Sequence, residues 1–225
     1  EIPLRLVGSE MCIRDRFPTG DTNSMAYGLA LEKFVRSLGY SVNCGPSDAL
    51  AGRCAPGKHP HGATSEHFAH AQGRDGWGLD VGRNPSNGAR VSEFEKALVT
   101  SLFHLLIDLS GGALADKLVL DRAVGDHDDH GHVQGRPLRT KRKHFNPSWR
   151  GVPAGWLVYG HGSPALSSGA RADEVRALQR ALGIKADGSF RLDTWNALRN
   201  AQARHGLTTD GIAGKATFGA LGVTR

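Results

Sequence analysis

The chain has 225 residues, of which 39% are hydrophobic and 22% are charged, with a formal net charge of +6. This length is enough for one medium-sized domain and one small domain. No run of about 18 apolar residues occurs, so no segment is predicted to span a membrane. The positive charge suits an anionic polymer but is also common on ordinary protein surfaces, so it excludes little.

The first sixteen residues are expected to lie outside the natural protein. Residues 6–16 have the sequence LVGSEMCIRDR. This segment resembles a translated sequencing-library adapter, because the transposase-end DNA string encodes LVGSEMCIRD. We therefore expect residues 1–16 to be an adapter artefact and leave them out of the fold prediction. The natural N-terminus and any signal peptide are then unknown.

An amphipathic helix is predicted over residues 23–38, where apolar residues recur at helical spacing. Asn23 or Ser24 can cap its N-terminus, and Gly39 suits the left-handed residue that ends a helix. Residues 40–42 then alternate as in a short strand.

Residues 44–64 are rich in Gly, Pro and Ser, which predicts a loop. With Cys12 set aside, Cys44 and Cys54 remain as a possible pair. A disulfide between them would close a short loop and favour an oxidising compartment. Two free thiols are the alternative, and the sequence leaves both open.

A second helix is predicted to begin at residues 92–95, SEFE, which form a capping box, and to carry a leucine-rich face as far as Leu109. A glycine pair at 111–112 ends it, and residues 117–120 form a short apolar strand candidate. His104 lies beside the leucine face and is interpreted as a structural histidine.

The composition changes at residues 136–165, which are basic and rich in Pro and Gly and are interpreted as a linker. The basic run at 139–143, RTKRK, is interpreted as part of a solvated connector. Contact with phosphates or cell-wall acids is the alternative, but nucleic acid is not the expected partner.

The C-terminal part contains an internal repeat. Residues 187–198, DGSFRLDTWNAL, match residues 210–221, DGIAGKATFGAL, at a shift of 23 positions. Each unit places an Asp-Gly turn before a threonine, Thr194 or Thr217, that can cap a new helix. With the amphipathic segment ADEVRALQRALG at 172–183, the pattern predicts three short helices around a small core.

This segment resembles the three-helix peptidoglycan-binding domain of bacterial and phage cell-wall enzymes, over roughly residues 166–222. The resemblance implies a non-catalytic anchor to glycan or stem peptide. It does not identify the residues that would contact the ligand.

Histidines and aspartates are concentrated in GDHDDHGHVQG, residues 125–135. On a strand, His130 and His132 project from the same face. A zinc hydrolase needs three protein ligands and one open position for water, so residues upstream must complete the set.

The upstream partner is TSEHFAHAQGRDGWGLDVG at residues 64–82. Together with HDDHGHV, this segment resembles the LAS-type zinc peptidases, which include D-Ala-D-Ala carboxypeptidases and murein endopeptidases. Their pattern is Ser-x-His-x-x-Gly-x-Ala-x-Asp, followed much later by a His-x-His strand. The resemblance covers about residues 60–135.

The resemblance implies that His67, Asp80 and His132 hold Zn2+. It also implies that Asp129 is a general base and that His130 stabilises the oxyanion.

The spacing of the first two ligands departs from the family pattern. Twelve residues separate His67 from Asp80, whereas the family usually has about six. His70, followed by Ala-Gln-Gly73, satisfies His-x-x-Gly and is the alternative first ligand. The long spacing is compatible with an inserted hairpin or with a degenerate site.

The sequence therefore predicts an α+β protein. A zinc-peptidase-like domain with a small antiparallel sheet and flanking helices is expected at 17–135, and an all-α peptidoglycan-binding domain at 166–225. The predicted function is a monomeric peptidoglycan hydrolase at the cell wall, either secreted or phage-encoded and released at lysis. The alternative is a non-catalytic peptidoglycan-binding protein whose N-terminal domain has lost its activity. Which peptide bond would be cut stays open.

Overall fold

A computed structural model describes residues 13–57, 64–82, 93–119, 130–138, 157, 159 and 172–224, without the side chains of 93–98. The chain divides into two compact units. The first, which we call the sheet unit, comprises Phe17–Glu95 and Leu109–Pro147. The second, the helical unit, comprises Glu1–Arg16, Lys96–Asp108 and Ser148–Arg225. Among the described residues, no helix is long and apolar enough to cross a membrane.

The first helix of the sheet unit, α1, spans Met25–Ser37. Its N-cap is Ser24, whose side chain accepts a hydrogen bond from the backbone N–H of Tyr27 at 3.2 Å. Gly39 has φ +91°, which is the left-handed conformation expected after a helix. The predicted helix at 23–38 is therefore confirmed, with capping by Ser24.

The four short strands of the sheet unit form one antiparallel sheet. They are β1 at Val42–Asn43, β2 at Gly78–Gly82, β3 at Leu118–Val119 and β4 at His130–Gln134. Their order in the sheet is β1-β2-β4-β3, so β2 and β4 are the interior strands. The predicted combination of helices with a small antiparallel sheet is thus confirmed.

Aromatic residues pack α1 of the sheet unit against the start of β2. Trp77 is buried and stacks on Tyr27, with ring centroids 6.2 Å apart. The indole N–H of Trp77 donates to the backbone carbonyl of Thr22 at 2.8 Å. A Cβ on Gly28 would lie 2.5 Å from the Trp77 ring, so this helix position must stay a glycine. These contacts fix the residue that directly precedes β2.

The segment after β1 differs from the predicted loop. Pro46–Leu50 form a five-residue helix, α2, with Pro46 in its first turn. Proline is favoured at this position because its fixed φ suits a helix and its missing N–H is not needed there. The sequence prediction treated Pro and Gly only as loop residues and missed the role of Pro46 in the first turn of a helix. Cys44 and Cys54 form a disulfide across the segment, with their Cα atoms 5.4 Å apart.

Helix α3, Glu93–Leu109, lies mostly in the helical unit, since Lys96–Asp108 cluster there. The sequence places this helix inside the domain at 17–135, a boundary drawn from chain order alone. The buried Tyr159 donates a hydrogen bond from its hydroxyl to the Asp108 carboxylate within the helical unit. Most of the predicted linker, including the basic run at 139–143, lies outside the described residues.

Three further helices complete the described part of the helical unit: α4 at Ala172–Ala181, α5 at Leu192–Arg204 and α6 at Lys215–Ala220. The buried apolar side chains of these helices and of the turn between α4 and α5 include Val175, Leu178, Phe190, Trp195, Leu198 and Phe218. Burial of such side chains is the main source of stability for so small a bundle.

A buried glutamine organises each half of the C-terminal repeat. The amide nitrogen of Gln202 donates to Asp210 Oδ1 at 2.7 Å and to the Ile212 carbonyl at 3.0 Å. Its amide oxygen accepts from the Gly211 backbone N–H at 2.9 Å. Its amide nitrogen also lies 3.4 Å from the Thr217 hydroxyl. Gln202 therefore links the turn at 210–212 to α5, which precedes the turn, and to α6, which follows it.

The first half repeats this arrangement 23 positions earlier. Gln179 donates to Asp187 Oδ1 at 2.8 Å and to the Ser189 carbonyl at 3.0 Å, and it accepts from the Gly188 N–H at 2.8 Å. Its amide nitrogen also lies 3.1 Å from the Thr194 hydroxyl.

The threonines of the repeat have a different role from the predicted one. The N-caps of α5 and α6 are Arg191 and Gly214, and neither makes a side-chain cap. Thr194 and Thr217 lie inside the first turns, where their hydroxyls bond the glutamines and the turn carbonyls. The prediction of threonine caps is therefore wrong. Threonine fits this interior position because its hydroxyl is both donor and acceptor.

Candidate metal centre

The pairing of β2 with β4 places two of the predicted ligands opposite each other. Asp80 faces His132 across the two strands, and Gly82 faces His130. Because side chains alternate along a strand, Asp80, His130 and His132 all project from one face of the sheet. Both strands are interior and hydrogen-bonded on both sides, so this half of the site is held firmly.

The third residue comes from a 3-10 helix at Glu66–Phe68. Ser65 caps this turn, and its hydroxyl accepts from the His67 N–H at 3.4 Å. Phe68, the next residue, is fully buried in a cluster with Cys44 and Cys54. The turn is therefore anchored on one side by the disulfide while His67 points to the sheet.

Three ligand-type atoms converge in this site. His67 Nε2 lies 3.1 Å from Asp80 Oδ1 and 3.0 Å from His132 Nδ1. His132 Nδ1 lies 2.9 Å from Asp80 Oδ1. All three side chains are buried. Zinc bonds of about 2.0–2.2 Å at tetrahedral angles would place such atoms about 3.3 Å apart, so the triangle has nearly the required size.

The outer nitrogen of each imidazole is matched to an acceptor. His67 Nδ1 lies 2.7 Å from the carbonyl oxygen of Cys44. His132 Nε2 lies 3.2 Å from Gln134 Oε1. The Gln134 amide is oriented by its nitrogen, which donates to the Arg136 carbonyl at 2.8 Å. Each ring therefore donates its proton outward and turns its lone pair inward, as metal-ligating histidines do.

This arrangement favours a cation at the centre. Burial lowers the pKa of His132, against the opposing effect of its hydrogen bond to Asp80, and so disfavours the charged form of this ring. Two imidazoles whose outer N–H groups donate to the Cys44 carbonyl and to Gln134 turn the lone pairs of their other nitrogens towards each other and towards the carboxylate. Such a group of buried acceptors is repulsive unless a proton or metal ion lies among them. The donor set of two histidines and one carboxylate suits Zn2+.

A glycine in β2 makes room for the two rings. A Cβ on Gly78 would lie 3.0 Å from His132 Cε1 and 3.1 Å from His67 Nδ1. Both distances are tighter than ordinary contacts, and the rings are fixed by their outer hydrogen bonds. Any side chain at this position would therefore displace one of the two rings.

Gly78→Ala is expected to weaken zinc binding by about tenfold, the lower end of the effect of disturbing the partners of metal ligands. Competition with a chromophoric chelator measures the change. Gly219→Ala is the control, because a Cβ there meets nothing within 4 Å. Unchanged affinity in Gly78→Ala would contradict the geometry.

Comparison with known protein families gives a match in the C-terminal part of the chain. Residues 171–221 match the family model of the peptidoglycan binding domain. This part of the chain is a peptidoglycan-binding domain. The match supports peptidoglycan as the partner of this domain and an association with the cell wall. No curated protein and no solved structure gives a match to the chain.

Both buried glutamines lie inside the matched part of the peptidoglycan-binding domain. Their roles were missed in the sequence, although the repeat contains the signal. Gln179 and Gln202 are 23 positions apart, the same shift that aligns the two Asp-Gly turns. Extending the repeat upstream into the preceding helix would have identified them.

The remaining predicted site residues have different placements. His130 Nε2 lies 3.6 Å from Asp80 Oδ1, beside the three ligand-type atoms. His70, the alternative first ligand, is exposed on a separate 3-10 helix at His70–Gln72. Asp129 lies outside the described residues. The long spacing between His67 and Asp80 includes this second 3-10 helix and does not separate the two side chains.

Sequence reasoning also missed the outer partners of the two histidines. Gln134 follows His132 by two residues and so lies on the same strand face, which the alternation rule could have shown. The Cys44 carbonyl carried no such signal, because a backbone atom 23 residues away is reached only through the fold.

Proposed function

We propose that this protein is a peptidoglycan hydrolase that cleaves an amide bond of the cell-wall peptide with zinc held by His67, Asp80 and His132. The observation that carries the proposal is the convergence of three buried acceptor atoms, each within 3.1 Å of the other two. The matched peptidoglycan-binding domain supports the choice of substrate. The resemblance of the two histidine-bearing segments to LAS-type zinc peptidases supports the choice of reaction.

The chain's own residues would divide the chemistry among them. When bound, zinc supplies a Lewis acid for the scissile carbonyl and lowers the pKa of water at its open position. Cys44 and Gln134 keep the His67 and His132 rings oriented through their outer N–H groups. We call His67, Asp80 and His132 the trio. His130 borders the trio and is suited to donate a hydrogen bond to the developing oxyanion.

Asp129 directly precedes His130 and remains the predicted general base. In this role it would take a proton from the attacking water and deliver it to the leaving amine. The resemblance to the LAS-type zinc peptidases implies this role for Asp129.

The peptidoglycan-binding domain would act as a tether. Binding of one module to an insoluble polymer raises the effective concentration of a linked module at the same surface. Modest affinity of the small domain would therefore suffice. A secreted or phage-encoded origin and a monomeric state both belong to this proposal.

Removal of metal is expected to stop wall digestion. Purified peptidoglycan sacculi are incubated with protein that has been dialysed against a chelator, and turbidity is followed before and after one equivalent of Zn2+ is returned. Activity should fall to the level of buffer and return with zinc, because the attacking water is activated only when the metal is bound. Metal content per chain is measured in parallel.

The alternative of a non-catalytic wall-binding protein gives a different result. One zinc per chain with no loss of turbidity, under conditions where the protein still pellets with sacculi, would favour it. Digestion that continues in the metal-free protein would contradict the zinc mechanism.

A further inference from the structure

His67 lies between two groups of potential metal ligands. Besides the trio, the sulfur atoms of Cys44 and Cys54 and one ring nitrogen of His67 all lie within 4.8 Å of one another. All three side chains are buried. In the folded protein the two sulfurs are joined in a disulfide, so they are not available as ligands.

The cysteine segment is held in place by more than the disulfide. Glu32 of α1 is buried and accepts hydrogen bonds from the Ser47 N–H at 2.8 Å and from the Ser47 hydroxyl at 2.6 Å. Arg53 donates to Asp48 Oδ1 at 2.8 Å inside the same segment. Because of these contacts, opening the disulfide would leave both thiols near His67.

We propose that reduction of the Cys44–Cys54 disulfide creates a second metal site from the two thiolates and His67, and that this site excludes metal binding by the trio. The chain would then hold a soft divalent cation through sulfur under reducing conditions. The exclusion of one site by the other rests on the proposed function of the trio. The existence of the thiolate site does not.

The chemistry of the step balances with a phosphine as reductant. The disulfide accepts two electrons from the phosphine and, with water, gives two thiols and one phosphine oxide. Binding of a divalent ion then releases two protons as the thiols become thiolates. Thiolates are the ligands preferred by zinc and other soft divalent ions, so the reduced pair competes strongly.

The two sites exclude each other because both need His67. A neutral imidazole has one nitrogen with a free lone pair and one that carries a proton. In the oxidised protein the proton is on Nδ1, which faces the Cys44 carbonyl, and the lone pair on Nε2 faces Asp80. A metal beside the sulfurs takes the single lone pair, whichever nitrogen provides it, so the trio loses a ligand.

Cobalt(II) tests the proposal, because its bonds to thiolates give a near-ultraviolet charge-transfer absorption that imidazole and carboxylate ligands do not give. A Cys12→Ser variant removes the third cysteine of the chain. The full-length variant is titrated with cobalt before and after reduction by a phosphine. We expect no thiolate absorption in the oxidised protein and one cobalt per chain with thiolate absorption in the reduced protein.

Further variants separate the two sites. In the reduced state, Asp80→Ala should keep the thiolate absorption, whereas Cys44→Ser with Cys54→Ser should lose it and His67→Ala should weaken cobalt binding at least about tenfold. Circular dichroism checks that each variant is folded. If the reduced protein shows no thiolate absorption, whether it is folded or unfolded, the thiolate site is overturned. Two cobalt ions per reduced chain would overturn the exclusion of one site by the other.

The oxidised protein gives an independent result on the trio. If it binds no cobalt while the reduced protein binds one through thiolates, the proposed metal centre fails and the thiolate site stands. If the oxidised protein binds cobalt and Asp80→Ala abolishes this binding, the trio is supported whatever the reduced protein does.

Discussion

His132→Ala is expected to abolish the release of cleaved muropeptides from purified walls while leaving wall binding unchanged. The substitution removes Nδ1, the atom that lies within 3.0 Å of both other ligand atoms. Loss of a direct ligand should weaken zinc binding by more than about 100-fold, the upper end of the effect of losing an outer partner. Mass spectrometry of the digestion products measures the effect, and cosedimentation with sacculi measures the anchor.

His70→Ala is the matched control. This histidine is exposed and lies on the adjacent 3-10 helix, yet it fits the sequence pattern for the first ligand. The structure predicts an unchanged product pattern for His70→Ala. Identical products from wild type and His132→Ala would end the claim of zinc-dependent hydrolysis, and a loss confined to His70→Ala would move the first ligand to that residue.

The second large effect is expected at the buried glutamine of the peptidoglycan-binding domain. Gln202→Ala leaves the Gly211 N–H without its side-chain acceptor and removes the donor to Asp210 and to the Ile212 carbonyl. Unsatisfied buried groups and lost hydrogen bonds together should lower the free energy of unfolding by about 2–4 kcal/mol. A small bundle has little stability to spare, so wall binding should be lost at lower temperature.

Hydrogen exchange of the Gly211 amide and the temperature dependence of cosedimentation measure this change. Asn200→Ala on the same helix is the control, because Asn200 is exposed. Equal stability of Gln202→Ala and Asn200→Ala would show that the buried network contributes little.

Much of the local structure could be predicted because its causes are local. Apolar spacing and the Ser24 cap fix α1, and the alternation of His130 with His132 fixes their shared face. The 23-residue repeat predicts the bundle, since each Asp-Gly turn carries its own conformational preference. His67, Asp80 and His132 are predicted as ligands from a family pattern. In the structure their ligand-type atoms lie within 3.1 Å of one another.

The remainder depends on contacts between distant parts of the chain. The Cys44 carbonyl lies 2.7 Å from His67 Nδ1 although the two residues are 23 positions apart in the chain, so only the folded structure shows this contact. Lys96–Asp108 belong to the same compact unit as the C-terminal residues, and the order of residues along the chain does not indicate this grouping. Gly78 looks in the sequence like any strand glycine, and its need for a small side chain appears only when both rings lie above it.

The placement of β2 and β4 in the middle of the sheet bears on how the site would exchange its metal. The backbones of Asp80 and His132 belong to strands that are paired on both edges, so neither backbone can move away without breaking the sheet. His67 sits on a single short turn. Ion uptake and escape should therefore depend on how firmly the neighbours of that turn hold it, and the rate constants of both steps should respond to substitutions around it.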